Sequence, residues 1–178
     1  MPSLRTKANG QRWRTRAALV GLLLAAGPAL TDTPNAALKV DRIVIVKSKR
    51  EMTLMRGDKT VKMYKVALGA QPVGAKARQG DHKTPEGNYM IDAKIEHSQF
   101  HRALHISYPN ADDRQRAHKL GVSPGGDVEI HGLGAKYGWV GAAHRNYDWT
   151  DGCVAVTNEE IDEIYPLIAV GTPVEIRP

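Results

Sequence analysis

Cys153 and His131 are the two residues in this chain whose types and surroundings could together make or break an acyl bond. Cys153 follows a glycine in Trp149-Thr150-Asp151-Gly152-Cys153-Val154-Ala155-Val156, and His131 closes Val128-Glu129-Ile130-His131-Gly132. A free thiol is mostly protonated near neutral pH, and an adjacent imidazole is expected to turn it into a thiolate nucleophile. Gly152 lets the backbone turn sharply and lets a substrate carbonyl approach the local N–H groups. Gly132 exposes a backbone carbonyl that could hold the imidazole in one tautomer, the part an Asp or Asn plays in other Cys-His enzymes. A third cluster, Gly80-Asp81-His82-Lys83-Thr84-Pro85-Glu86-Gly87-Asn88-Tyr89, reads as a loop that runs into a strand.

Cys153 is the only cysteine, so no intramolecular disulfide can form. A lone thiol is a packing residue, an intermolecular link or a nucleophile, and the count alone does not choose among them. The segment Leu133 to Gly152 between the two motifs carries Tyr137, Trp139, Tyr147 and Trp149. It is long for a hairpin loop and is expected to act as a lid, with its His144 in solvent.

The elements that must position these residues read mostly as strands. Val40, Ile43 and Ile45 begin a period-two pattern, Glu51 to Met55 and Val61 to Ala67 continue it, and Tyr89–Ala93, Ala103–Ser107 and Val128–Ile130 are further short strands. Residues 111–119 could hold one or two helical turns. Thr157 with Glu160 is a capping box, and Ile161, Ile164, Tyr165 and Ile168 follow at helical spacing, with Pro166 expected to end the helix early. Val174 to Ile176 is a last strand. The pattern predicts one mostly β, sandwich-like domain over 37–178 with one or two short helices.

Residues 1–36 read differently. Arg5, Lys7, Arg12, Arg14 and Arg16 precede an apolar run from Ala17 to Leu30, and polar Thr31-Asp32-Thr33 follows. That order of parts predicts a secretory signal peptide cleaved between about 27 and 36, too short for a membrane span and leaving none behind. The formal net charge of +6 falls to about +2 without this segment, with 20 basic against 18 acidic residues remaining. The basic balance therefore belongs to a leader and not to a nucleic-acid surface.

The order Thr84-Pro85-Glu86-Gly87-Asn88-Tyr89, then Ile130-His131-Gly132, then Gly152-Cys153 resembles the L,D-transpeptidase (YkuD) catalytic domain across nearly all of 38–178. The resemblance implies Cys153 as nucleophile, His131 as general base and the Gly132 backbone as its orienting group. It implies no cofactor, a periplasmic location and peptidoglycan stem peptides as substrate. The terminal D-alanine of a tetrapeptide would be exchanged for an amine through a thioester, with the N–H groups around Gly152 and Cys153 holding the oxyanion.

The chain departs from the family's usual Ser-His-Gly-Cys-(Ile/Val)-Arg, reading Thr150-Asp151-Gly152-Cys153-Val154-Ala155. Asp151 and Thr150 stand where substrate is expected to bind, and Arg145 is a candidate for the cation that Ala155 removes. Gly-Cys-x-Ala-x-Thr-Asn resembles a side branch that includes an amidase releasing envelope lipoprotein from diaminopimelate, so such a lipoprotein is a further candidate partner. Hydrolysis on the same scaffold, or a wall-binding module without activity, are the alternatives. His97, His101 and His105 are spaced as metal ligands only on a helix, whereas Leu104 and Ile106 alternate with His105 as in a strand. No metal is expected, and His105 is instead a candidate to line the substrate groove.

Overall fold

The computed structural model describes residues 40–178; the leader segment lies outside them. The described residues form eight strands: β1 (Arg42–Val46), β2 (Glu51–Arg56), β3 (Lys59–Lys65), β4 (Gly87–Ser98), β5 (His101–Ile106), β6 (Glu129–His131), β7 (Val154–Ala155) and β8 (Pro173–Arg177). The three α-helices are α1 (Ala111–Lys119), α2 (Gly134–Tyr137) and α3 (Asn158–Leu167). No helix among the described residues is long and apolar enough to cross a membrane.

The sheet order is β3-β2-β1-β8-β4-β5-β6-β7, with β1/β8 and β6/β7 parallel and the other pairs antiparallel. Bridges from Ala67 to Ala155 and from Gly69 to Thr150 bring the chain beyond β3 against β7, so the sheet curls back on itself. Alternation along β1 and β2 puts Ile43, Ile45, Met52 and Leu54 fully inside, as period-two side-chain placement requires. They meet Ile91, Leu104, Ile106 and Ile130 in one core.

β4 is the element that bends the sheet. Its first residues, Gly87–Met90, pair with β8, and the stretch from Ile91 onward pairs with β5 across two register shifts. Bulges of this kind increase local twist and let one strand serve two faces. The sequence predicts a strand ending at Ala93, yet β4 runs to Ser98. Its later half has little apolar patterning, because Lys94, Glu96 and His97 lie along a hairpin arm and not over the core.

Helix α3 follows its sequence signals. Thr157 Oγ1 accepts from Glu160 N at 3.2 Å, and Glu160 Oε2 accepts from Thr157 N at 2.9 Å. Ile161 and Ile164 are buried where α3 lies on β5 and β6. The helix ends at Leu167, one residue past Pro166, and Lys94 Nζ donates to the carbonyls of Tyr165 and Ile168 at 2.6 and 2.8 Å. A cation there satisfies orphan carbonyls and the negative end of the helix dipole. Helix α1 also has a capping box, between Asn110 and Asp113.

The segment between His131 and Cys153, expected to act as a lid, is helical where the sequence reads as a long loop. Helix α2 and a 3-10 stretch, Gly138–Asn146, fill most of it, which makes three α-helices instead of one or two. Four residues of α2 are too few to leave a periodic pattern.

Candidate active site

Cys153, His131, Thr150 and Asp151 line one cleft of about 490 Å³, together with Lys76 and Trp149. Strand β6 carries His131 to its end, and β7 begins immediately after Cys153, hydrogen-bonded alongside β6 in parallel. His131 is thereby held on one strand and Cys153 immediately before its neighbour.

His131 is almost fully buried, and its Nδ1 lies 2.6 Å from the carbonyl oxygen of Gly132. A carbonyl can only accept, so Nδ1 carries the proton and Nε2 holds a free lone pair. The ring stacks on Phe100 with centroids 4.2 Å apart and meets Trp149 edge-on at 6.0 Å. Burial among these rings lowers the imidazole pKa to about 4, against the Gly132 hydrogen bond that raises it. Gly132 could not be another residue: a Cβ there would lie 2.6 Å from Asn158 Oδ1 and 2.9 Å from Phe100 O.

The Cys153 thiol points to the carbonyl oxygen of Asp127 at 3.5 Å, and no hydrogen bond joins it to His131 among the described residues. Burial pushes its pKa up to about 11; the Glu129 backbone and Lys76 pull it down, while the Glu129 and Asp151 carboxylates push it up. The geometry thus leaves the thiol turned toward Asp127 and not hydrogen-bonded to the imidazole. Burial disfavours the charged form of each group, lowering the imidazole pKa and raising that of the thiol.

The turn before Cys153 is braced by one side chain. Thr150 Oγ1 accepts from Gly152 N at 3.1 Å and donates to Cys153 O at 2.8 Å. This takes the Gly152 N–H, which the glycine-cysteine motif leads one to expect among the oxyanion donors. The Cys153 N–H has no partner among the described residues. Gly152 itself sits at φ +134°, and a Cβ there would lie 2.6 Å from Lys83 O. Asp151 stands on the rim, where its carboxylate meets His82 Nδ1 at 2.7 Å.

The loop carrying Thr84 and Glu86 packs beneath this turn. Thr84 Oγ1 accepts from Gly69 N at 2.9 Å. Lys47 Nζ, buried, donates to Gly74 O, Thr84 O and Glu86 Oε1 at 2.7 to 2.8 Å.

Three residues do not sit where the sequence leads one to expect them. Arg145 is ion-paired with Glu160 and lies outside the cleft lining. His105 turns its Nδ1 to Asp92 Oδ1 at 2.6 Å and does not line the cleft, though its Nε2 comes to 4.0 Å from Asp127. His144 is buried instead of solvated, in an apolar pocket of about 360 Å³ under the lid that shares Trp149 with the cleft. The helical lid wraps the ring, which spacing along the chain could not reveal. His101 pairs with Asp162, away from the His105–Asp92 pair, so the three spaced histidines do not converge.

Comparison with known proteins gives this arrangement its context. The pattern of the YkuD L,D-transpeptidase catalytic domain matches residues 40–176. The chain belongs to the L,D-transpeptidase catalytic domain family. It is 32% identical over 107 residues to YafK of Escherichia coli (strain K12), provisionally classed as an L,D-transpeptidase, a match covering 59% of this chain and 36% of YafK. Its fold is similar to that of the helical cell shape determining protein Pgp2 from Campylobacter jejuni, with a TM-score of 0.59, 22% identity and coverage of 77% and 47% of the two chains. It is also similar to the L,D-transpeptidase from Xylanimonas cellulosilytica, with a TM-score of 0.51, 16% identity and coverage of 80% and 62%. The chain thus spans about a third of the curated relative and about half of Pgp2.

Proposed function

We propose that this L,D-transpeptidase family member transfers acyl groups of peptidoglycan stem peptides through a thioester on Cys153, after export directed by residues 1–36. The observation that carries the reading is the His131–Gly132 hydrogen bond, which leaves Nε2 as a base in the cleft that Cys153 lines.

The chemistry starts from a neutral thiol and a neutral imidazole. The thiol leaves Asp127 O for His131, and its proton passes to Nε2 as sulfur attacks the diaminopimelate carbonyl at the bond to terminal D-alanine. A coupled transfer is required because a free thiolate is disfavoured and so is a free imidazolium. The Cys153 N–H receives the developing oxyanion. Nε2–H then protonates the departing D-alanine amine, leaving a thioester. An amine acceptor, losing its proton to Nε2, attacks the thioester and restores the thiol.

Mass spectrometry of products tests this. The purified protein is incubated with a disaccharide tetrapeptide of the diaminopimelate type, beside Cys153→Ala. Cys153-dependent release of D-alanine with crosslinked dimers is the expected result. Tripeptide without dimers would mean that water is the acceptor, and untouched tetrapeptide would remove the transpeptidase reading.

A further inference from the structure

Two lysines of the described chain are buried, and they are satisfied very differently. Lys47, 2% exposed, uses its three ammonium hydrogens on Gly74 O, Thr84 O and Glu86 Oε1. Lys76, 5% exposed, makes a single hydrogen bond among the described residues, to Asp81 Oδ1 at 2.8 Å. An ammonium has three donors, so two remain.

Asp81 does not need Lys76 to be satisfied. Its Oδ2 accepts from Ala77 N and Arg78 N at 2.7 and 3.0 Å, and its Oδ1 also accepts from Lys83 N at 3.1 Å. The carboxylate is held by the loop backbone, and it fixes the lysine in place. Lys76 lines the same cleft as Cys153, and a Cβ built on Gly152 would lie 3.7 Å from its Nζ. The carboxylates of Asp151 and Asp127 are also at the cleft, but both stand exposed on the rim, where water and salt screen them. The buried ammonium is screened far less.

We propose that Lys76, clamped by Asp81, is an anion-binding residue of the cleft, which receives a substrate carboxylate beside Cys153. The 69–87 loop delivers this cation to the cleft beside the Gly152 turn. A carboxylate accepts both spare N–H bonds, whereas a neutral amide of the same shape leaves the ammonium under-satisfied. That the carboxylate belongs to a stem peptide rests on the reading under Proposed function; the anion site does not.

The test separates the two. Cys153 is alkylated with iodoacetate and with iodoacetamide, reagents that differ in charge, and the ratio of rates is taken. Any change in thiol ionisation affects both rates and cancels in the ratio. Lys76→Met should lower the ratio about fivefold, since a nearby charge acts on the anionic reagent alone, and Lys76→Arg should keep it. Lys76→Met with Asp81→Asn removes both charges, and its ratio should fall as well should the single variant fold poorly. An unchanged ratio in a folded variant, by circular dichroism, would show a purely structural clasp and overturn the proposal. With tetrapeptides ending in a carboxylate or an amide, the protein should prefer the acid and Lys76→Met should lose the preference through KM. Equal loss on both substrates would also overturn it, whereas an inert tetrapeptide with a Lys76-dependent ratio would leave the anion site standing and remove only the stem-peptide reading.

Discussion

Nδ1 of His131 stands 2.6 Å from the carbonyl oxygen of Gly132, the next residue in the chain. A backbone group therefore holds the tautomer that a carboxylate or amide side chain holds in many Cys-His enzymes. A neutral orienting group has a consequence for the cysteine. It adds no negative charge to stabilise an imidazolium, which works in the same direction as the burial of the ring.

Alkylation and turnover should consequently respond differently to His131. In the wild type, iodoacetamide reactivity of Cys153 should climb with pH toward an inflection near about 11, without a thiolate plateau at neutral pH. His131→Ala should change that profile little while reducing acyl transfer by about 10²- to 10⁴-fold. A reactive plateau at pH of about 6 to 7 that vanishes in His131→Ala would show a preformed ion pair instead.

Acid should destabilise the protein through two buried imidazoles. His131 and His144 both have pKa values lowered to about 4, by burial first in each case, with the charges of Arg145 and His131 adding to the effect at His144. The unfolded chain takes up these protons near pH 6.5 and the folded chain only near 4. Their stabilising contribution is whole above the unfolded value and is lost as pH falls through this window. Tm measured at intervals from about pH 7.5 to 4 should fall most between 6.5 and 4, and His144→Phe should flatten the decline.

Thr150→Val should cost about 2–3 kcal/mol in urea unfolding, because the isosteric change leaves both Gly152 N–H and Cys153 O without their partner. Thr150→Ser keeps the hydroxyl and should recover most of the loss. A valine variant as stable as wild type would show that water or a shifted backbone replaces the brace.

Gly152→Ala should be poorly tolerated. The φ of +134° and the 2.6 Å approach to Lys83 O together predict a loss of about 2 kcal/mol or more, with acyl transfer falling further than stability alone explains. Retained activity at full stability would mean that the Lys83 loop can move away.

Lys47→Met removes a buried ammonium with three hydrogen bonds and leaves Glu86 unpaired, a change expected to cost about 3–5 kcal/mol. Glu86→Gln keeps an acceptor for the ammonium and should cost much less. Thermal unfolding of the two variants side by side measures the difference.

The shared cleft of Cys153 and His131, and the Gly132 carbonyl beside the imidazole, were legible in the amino-acid sequence because each motif is local: a strand end, a tight turn and the glycines that a close approach demands. The capping box of α3 was legible for the same reason, since Thr157 and Glu160 meet within one helical turn. Relationships across long stretches of chain were decided only by the tertiary structure. Lys76 reaches the Gly152 turn because the 69–87 loop packs against it, whereas Arg145, nearer in sequence, is drawn to Glu160 by the capped end of α3. The burial of His144 and the resting charge state of the Cys153–His131 pair depend on which groups exclude water from them. Desolvation is a property of the assembled surroundings, and no spacing along the chain encodes it residue by residue.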